Sequence, residues 1–236
     1  SQLVPDRKRN DQIMEDPFLE FFKSSIEAPS NSTDNLLFLR IPKNASSSIM
    51  QMLGTRNVVK KYEKKLQESL DKNIYKDLFD ATHARPHELK EVISGVELNC
   101  FSFAVVRNPW DRVVSMYHFG KKMGLAKVFG YRNRSSFVDF CEALELHAGD
   151  RSFIPAFKQT EWTHGCIEPT EILRFENIAE DFRKMVTKHN INYLNFHLPH
   201  INSTNHKPYR DYFNSNTQKI IKKVFEEDCD LLKYVF

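Results

Sequence analysis

The feature that most constrains this chain is an apolar run that gives way to a helical pattern across a short polar loop. Residues 36–41 (LLFLRI) have the length of a buried strand, and Pro42 ends ladder pairing. Ile49, Met50 and Leu53 then lie on one side of a predicted helix. The loop falls where a helix leaves backbone N–H groups unpaired and its dipole is positive, so the stretch predicts an anion site. The candidate residues of this site are Lys43, Asn44, Ala45, Ser46, Ser47 and Ser48.

This loop differs from the glycine-rich phosphate loop of kinases. Gly54 is the nearest glycine and follows the predicted helix, and Lys43 precedes the hydroxyls instead of following a glycine run. A small-molecule kinase of related fold would also need acidic metal ligands, which the sequence does not offer at the first strand. Taken alone, the loop fits an ordinary helix start about as well as a phosphate site.

A second junction between a strand and a helix supports the phosphate site. Residues 101–106 form another apolar strand, and Arg107 follows at its carboxyl end. Pro109 suits the first turn of a helix, which places Ser115 on that helix. Because ligands of α/β proteins bind at the carboxyl ends of the strands, Arg107 and Ser115 are predicted to reach a single phosphate.

The two junctions resemble the donor-binding motifs of sulfotransferases that use 3′-phosphoadenosine 5′-phosphosulfate (PAPS). The resemblance is to the carbohydrate type, sulfotransferase family 2, which includes heparan 2-O and chondroitin sulfotransferases. In that family P-K-x-A-S-T/S-S binds the 5′-phosphosulfate and R-N-P-W-D-R-x-x-S binds the 3′-phosphate. This chain has the matching residues at 42–48 and 107–115. The resemblance extends to 174–181 (RFENIAED), to 198–212 and, with looser spacing, to the residues from Asp228 onward.

The resemblance implies an enzyme that transfers a sulfuryl group from PAPS to an acceptor hydroxyl by in-line displacement, releasing PAP and using no metal ion. Lys43 would stabilise the leaving group and would bind the donor together with residues 44–48. Arg107 and Ser115 would bind the 3′-phosphate. Lys207 lies in a segment that closes over the nucleotide in related enzymes, so it is a candidate for a further phosphate contact.

Family members of this type also carry a catalytic histidine between the two phosphate motifs. The sequence predicts a short strand from Leu78 to Thr82, which places His83 just past a strand end, where it can serve as a general base. His87 is the second candidate, but it lies about one turn into the next predicted helix and would point elsewhere. For an arbitrary histidine, a hydrogen bond to a turn is the commoner role.

Strands that alternate with helices predict an α/β fold, a single domain with a parallel central sheet of about four strands flanked by helices. The resemblance implies the sulfotransferase fold, which is related to P-loop kinases. The domain is predicted to span residues 36–236, after a flexible lead-in at 1–35. Predicted helices include 58–70, 86–94 closed by Gly95, one opened by Asn177 with Glu180, and a final one opened by Ser215 with Gln218 that runs through Glu227.

Composition narrows the class of partner. The 236 residues carry a net charge of +3, which fits an anionic donor and is too weakly basic for a typical nucleic-acid binder. No apolar run reaches the roughly 18 residues of a membrane span, and no signal peptide is visible. The localisation stays open: we expect the Golgi lumen for a trimmed eukaryotic chain and the cytoplasm for a bacterial one.

The four cysteines, Cys100, Cys141, Cys166 and Cys229, show no metal-binding spacing and are predicted to be buried thiols without a disulfide. No metal site is expected. Asn44 begins one of four N-x-S/T sequons, but a glycan at this residue would block the predicted phosphate loop. Trp162 fits the core better than a sugar-binding platform.

The acceptor depends on the shape of loops and stays open. A carbohydrate hydroxyl is the first hypothesis. The alternatives are a small-molecule alcohol or amine as acceptor, or a non-catalytic domain of the same fold that binds a nucleotide or glycan. Four lysines, at 60, 61, 64 and 65, are interpreted as a solvated helix face. Residues 121–134, which are basic and contain glycine, fit an acceptor loop and an ordinary loop equally well.

Overall fold

Three parallel strands form the sheet in the part of the chain that the computed structural model describes, namely residues 35–72, 74, 81–124, 136–191 and 206–236. Strand β1 is Leu36–Leu39, β2 is Phe101–Val106 and β3 is Glu171–Arg174, in the spatial order β1-β2-β3. Both pairs of neighbours are parallel. The predicted α/β class and parallel sheet are confirmed, although the described residues contain three strands where about four were expected.

Helices occupy most of the remaining described residues. They are α1 Ser46–Leu53, α2 Val58–Lys61, α3 Glu63–Ser69, α4 Pro86–Val92, α5 Gly95–Leu98, α6 Pro109–Lys122, α7 Phe137–Leu146, α8 Thr160–Thr163, α9 Ile178–Lys188, α10 Ser215–Val224 and α11 Glu226–Leu232. Short 3-10 helices lie at Gly54–Arg56, Ile154–Ala156, Phe175–Asn177 and Tyr209–Tyr212.

Helices cover both faces of the sheet, which explains why β1 and β2 are almost continuously apolar. Alternate residues of each strand belong to different cores, because successive side chains of a strand point to opposite faces. Leu37 and Leu39 pack in a core with α2, α3 and α4. Leu36 and Phe38 pack in a second core with α1 and α9.

A third core lies among α6, α7, α10 and α11. It buries Val113, Val114 and Tyr117 of α6. This core packs against the back of the helix that follows β2. It therefore fixes the orientation of α6 relative to the carboxyl edge of the sheet.

Several helix boundaries differ from the predictions. The helix predicted at 58–70 is two helices, because Tyr62 leaves the helical region (φ −98°, ψ 4°). The helix predicted at 86–94 ends at Val92, where Ile93 is already extended, and Gly95 begins α5. The predicted final helix is interrupted at the buried Phe225 and continues as α11.

Two predicted helix caps are also wrong. Asn177 ends a 3-10 helix and makes no side-chain cap, and the backbone N–H of Arg174 donates to the Asp181 carboxylate instead (2.8 Å). The box predicted from Ser215 and Gln218 is shifted by one residue. Asn214 Oδ1 accepts from the backbone N–H of Thr217 (2.9 Å), and the Thr217 hydroxyl accepts from the N–H of Asn214 (3.0 Å).

The strand predicted at Leu78–Thr82 is not present in its described part. Ala81 is helical and buried, and Thr82 and His83 form a turn before α4. Leu78 to Asp80 lie outside the described residues. His83 therefore does not follow a strand end, and its position has another cause, which is given below.

The predictions for the cysteines are confirmed in part, and the prediction for Trp162 is confirmed. The four cysteines carry free thiols, but Cys166 is exposed and Cys100 is half-buried, so only Cys141 and Cys229 are buried as expected. Trp162 is fully buried, and its indole N–H donates to the Ala84 carbonyl (3.2 Å), so it is a core residue.

Within the described residues, no helix combines the length and apolar character needed to cross a membrane.

The Asn214 cap gives a direct test of the corrected boundary. Asn214→Ala should lower the free energy of unfolding by about 1 kcal/mol, because two backbone N–H groups of α10 lose their acceptor. Ser215→Ala should change it by less than about 0.5 kcal/mol. Urea denaturation of both variants measures the difference, and a larger loss in Ser215→Ala would restore the predicted box.

Candidate active site

The loop between β1 and α1 has the backbone of an anion site without using glycine. Lys43 (φ 70°) and Ala45 (φ 56°) both adopt the left-handed conformation. Ala45 is the N-cap of α1 and makes no side-chain cap, and the first turn of α1 contains no acidic residue. No side-chain cap from residue 45 therefore satisfies the N–H groups at the start of α1, and the binding role of Ser46, Ser47 and Ser48 stays a prediction.

Arg107 joins this loop to the loop that follows β2. Its guanidinium pairs with the Asp111 carboxylate (2.7 Å) and donates to the Lys43 carbonyl (3.0 Å). The same group lies 4.0 Å from the centre of the Phe175 ring, just beyond β3. The residue predicted to bind the 3′-phosphate is therefore held at the carboxyl edge of all three strands, beside the predicted 5′-phosphate loop.

The buried side chain of Arg112 supports the loop between β1 and α1. It is 1% exposed. Its Nε donates to the Pro42 carbonyl (3.1 Å) and its Nη1 to the Phe157 carbonyl (2.9 Å). Burial lowers the pKa of Arg112 to about 10, and the nearby carboxylate of Asp228 acts in the opposite direction. Arg107 and Arg112, both in the second motif, thus bind successive carbonyls of the first.

The side chain of Gln159 lies between the two loops. Its Oε1 accepts from Asn44 Nδ2 (2.7 Å) and from the backbone N–H of Arg107 (2.8 Å). Its Nε2 donates to the Arg107 carbonyl (2.8 Å). Asn44 Nδ2 also donates to the Val105 carbonyl of β2 (2.7 Å), so Asn44 is a structural member of the loop and is buried.

Lys43 sits in a strongly positive environment. Its Nζ lies 3.8 Å from the centre of the Phe119 ring. Burial, followed by the charges of Arg107, Lys122 and Arg40, lowers the pKa of Lys43 to about 7. The positive charges in this half-buried site repel one another. A bound anion would offset this repulsion, so the arrangement favours an anionic ligand.

His83 is 6% exposed and lies near the same group of cations. Its Nδ1 is 2.9 Å from the Arg40 carbonyl, which can only accept, so Nδ1 carries the proton of the neutral ring and Nε2 is the basic nitrogen. Burial, then the charge of Arg40 and, more weakly, those of Lys43 and Arg112, lower the pKa of His83 well below its usual value. The imidazole is therefore neutral at pH 7.

Arg40 is the residue that brings the turn of His83 to the phosphate loop. Its guanidinium hydrogen-bonds the Thr82 hydroxyl on one side and donates to the Ser47 hydroxyl on the other (3.4 Å). Its backbone carbonyl orients His83, as described above. His83 is therefore positioned by a buried arginine that follows β1, and not by a strand end as predicted.

The other predicted site residues have different surroundings. Ser115 is buried on α6. His87, the second candidate base, has a side chain that is 47% exposed. Lys207 is exposed, and within the described residues it has no hydrogen bond or ion pair with either loop. The segment that carries Lys207 packs on α6 through a hydrogen bond between Tyr212 Oη and His118 Nε2 (2.9 Å).

Sequence reasoning did not assign a role to Arg40, Arg112, Gln159 or Asp228. Arg112 and Asp228 belong to stretches that carry the family resemblance, so their presence was noted without their function. Arg40 stands as a charged residue in an apolar run, which is a signal for a buried, paired cation. No comparable signal in the sequence marks Gln159.

Comparison with known protein families identifies the family of the chain. A model of the sulfotransferase family matches residues 30–235, which is most of the chain. The chain therefore belongs to the sulfotransferase family and is an enzyme of sulfuryl transfer. No curated protein matches the chain. The family implies a nucleotide that donates a sulfonate group, such as PAPS, and an acceptor.

The residues present fit such a donor. The uncapped start of α1 and the cations around Lys43, which include Arg107, provide favourable surroundings for negative charge. Across the described ranges, no group of three or more His, Cys, Asp or Glu side chains is arranged to hold a metal ion.

The pKa of Lys43 leads to a test of the charge environment. A bound phosphate stabilises the charged ammonium and raises this pKa, so PAP binding at pH 8 should take up about one proton from solution. The affinity for PAP should fall as pH rises above about 7, because a smaller fraction of Lys43 is then protonated in the free protein.

Titration calorimetry in buffers of different ionisation enthalpy measures this uptake. Lys43→Met should abolish it, whereas Lys60→Met, which removes an exposed lysine on α2, should leave it unchanged. If wild-type protein binds PAP without proton uptake at pH 8, then Lys43 is not beside a phosphate of the ligand.

Proposed function

We propose that this enzyme transfers the sulfuryl group of PAPS to a hydroxyl of a carbohydrate, with Lys43 stabilising the leaving group and His83 acting as general base. The observation that carries the proposal is the position of Arg40. Its side chain binds Ser47 of the phosphate loop and Thr82 beside His83, while its carbonyl fixes the tautomer of His83. The candidate base and the candidate donor loop are thus parts of one site.

The donor side of the proposal uses the two loops. The backbone N–H groups and hydroxyls of Ser46 to Ser48 bind the 5′-phosphate, and Arg107 binds the 3′-phosphate. The Lys43 ammonium lies at the loop and neutralises charge that develops on the oxygen bridging sulfur and the 5′-phosphate. The low pKa of Lys43 supports this role, because the ammonium gains most when negative charge forms next to it.

The acceptor side of the proposal uses His83. Its Nε2 takes the proton of the acceptor hydroxyl as the oxygen–sulfur bond forms, and the electron pair of the broken sulfur–oxygen bond goes to the 5′-phosphate of PAP. The neutral state of His83 at pH 7 supports this role, since a protonated imidazole could not accept. A hydroxyl needs such a base, whereas a neutral amine does not.

The choice of a carbohydrate rests on the resemblance to the carbohydrate-type family. The exposure of one basic surface bears on where the acceptor binds. The four lysines at 60, 61, 64 and 65 are exposed, and Lys60 pairs with Glu63 (2.5 Å), so this stretch has the character of a solvated helix face. We therefore do not assign it to the acceptor.

Donor binding can be tested without knowing the acceptor. PAP at about 100 times its Kd should stabilise the protein by about 2.7 kcal/mol, which is several degrees in Tm, with EDTA present or absent. Arg107→Ala should weaken PAP binding by roughly 1.5 to 3 kcal/mol through loss of a charged contact, and Arg107→Lys should recover only part of it. A Tm shift that requires Mg²⁺ would contradict the proposal.

The catalytic assignment is tested by comparing two histidines. His83→Ala should lower turnover by about 10² to 10⁴-fold while PAP affinity stays near wild type, because a general base does not hold the donor. His87→Ala should retain near-normal turnover. The assay is sulfate transfer from labelled PAPS to a panel of polysaccharides, small alcohols and amines. A crippled His87→Ala variant would move the base to His87, and transfer only to amines would overturn the hydroxyl acceptor.

A further inference from the structure

Gln159 connects the two phosphate loops by a set of bonds that use both ends of its amide. Oε1 accepts one hydrogen bond from the first loop, at Asn44, and one from the second, at the Arg107 N–H. Nε2 donates to the carbonyl of Arg107. All three distances are 2.7 to 2.8 Å, and Gln159 has no exposed surface.

The backbone of Gln159 is itself held in place. The two oxygens of the buried Asp228 carboxylate accept from the N–H groups of Gln159 and Thr160, each at 2.9 Å. The charge of Asp228 interacts favourably with that of Arg112, which binds the Pro42 carbonyl of the first loop. The backbone of Gln159 is therefore fixed in position. Because its amide is hydrogen-bonded to both loops, neither loop can move relative to the other without breaking one of these bonds.

We propose that Gln159 is a positioning residue that sets the distance between the two phosphate sites and so selects nucleotides carrying both a 3′- and a 5′-phosphate. This inference rests on the proposed function, which gives one phosphate to each loop. Gln159 makes no contact with the ligand. It acts through Asn44 of the first loop and through both backbone groups of Arg107.

The physical basis is the gain from binding two linked groups at once. When the two loops are held at the spacing of the ligand, the second phosphate binds as an intramolecular step and adds affinity with little further ordering cost. A ligand with one phosphate uses one loop and gains nothing from their spacing. Loosening the connection should therefore weaken a bisphosphate far more than either monophosphate.

Two substitutions separate this role from simple packing. Gln159→Met keeps the length and volume of the side chain but removes its hydrogen bonds. Gln159→Leu removes the same hydrogen bonds with a branched side chain of similar volume, so agreement between the two variants excludes an effect of side-chain shape. Asn57→Ala is the matched control, because Asn57 is another fully buried amide. Its Oδ1 accepts from the N–H groups of Phe38 and Val59, and its Nδ2 donates to Met50 Sδ within α1. None of these bonds joins the first loop to the second.

The experiment is calorimetric binding of PAP, adenosine 5′-phosphate and adenosine 3′-phosphate to each variant. In both Gln159 variants the preference for PAP over each monophosphate should fall by on the order of tenfold, because the second phosphate no longer binds at a fixed spacing. Monophosphate affinities should stay within about twofold of wild type. Asn57→Ala should lower the Tm but keep the wild-type preference.

The outcomes distinguish the two proposals. If wild-type protein shows no preference for PAP over adenosine 5′-phosphate, the assignment of one phosphate to each loop fails. If wild-type protein shows the preference and both Gln159 variants retain it, the role of Gln159 is overturned while the proposed function stands. An equal loss for all three ligands would show that Gln159 acts only through stability.

Discussion

The conformation of the loop between β1 and α1 depends on one buried cation, the guanidinium of Arg112. Two left-handed residues, Lys43 and Ala45, each cost about 1 to 3 kcal/mol, so the loop does not hold this conformation by local preference. Arg112 stabilises it by binding the Pro42 carbonyl, and Asp228 partly compensates the buried charge. Removing either partner would leave the other buried and uncompensated, which is usually more costly than losing a surface pair.

Strands β1 and β2 could be predicted from the sequence because each is a short apolar run followed directly by a polar loop. Once β1 and β2 are neighbours, their carboxyl ends must meet at one edge, and Lys43 and Arg107 come together without further information. Helix boundaries were less accurate. Gly95 and Ser215 are both residue types that commonly cap helices. The first helix nevertheless ends before Ile93, whose side chain is buried, and the second is capped by Asn214.

The connections that complete the site could not be predicted from local pattern. Gln159 is separated from Arg107 by 52 residues and from Asn44 by 115, and nothing in its neighbourhood indicates that its amide is buried between them. His83 was selected through the family resemblance, and the strand that was expected to place it does not include Ala81 or Thr82. Its position follows from Arg40, whose role becomes visible only when both hydrogen-bonded partners are known.

The left-handed loop also has a consequence for biosynthesis. A glycine-rich loop can adopt its binding shape as soon as its own strand and helix form, since glycine enters the left-handed region without strain. Here the shape is imposed by Arg112, Gln159 and Asp228, which leave the ribosome long after Lys43 does. If this loop binds the donor as we propose, the nascent chain would carry the first motif in its sequence before the residues that give the motif its shape have been made.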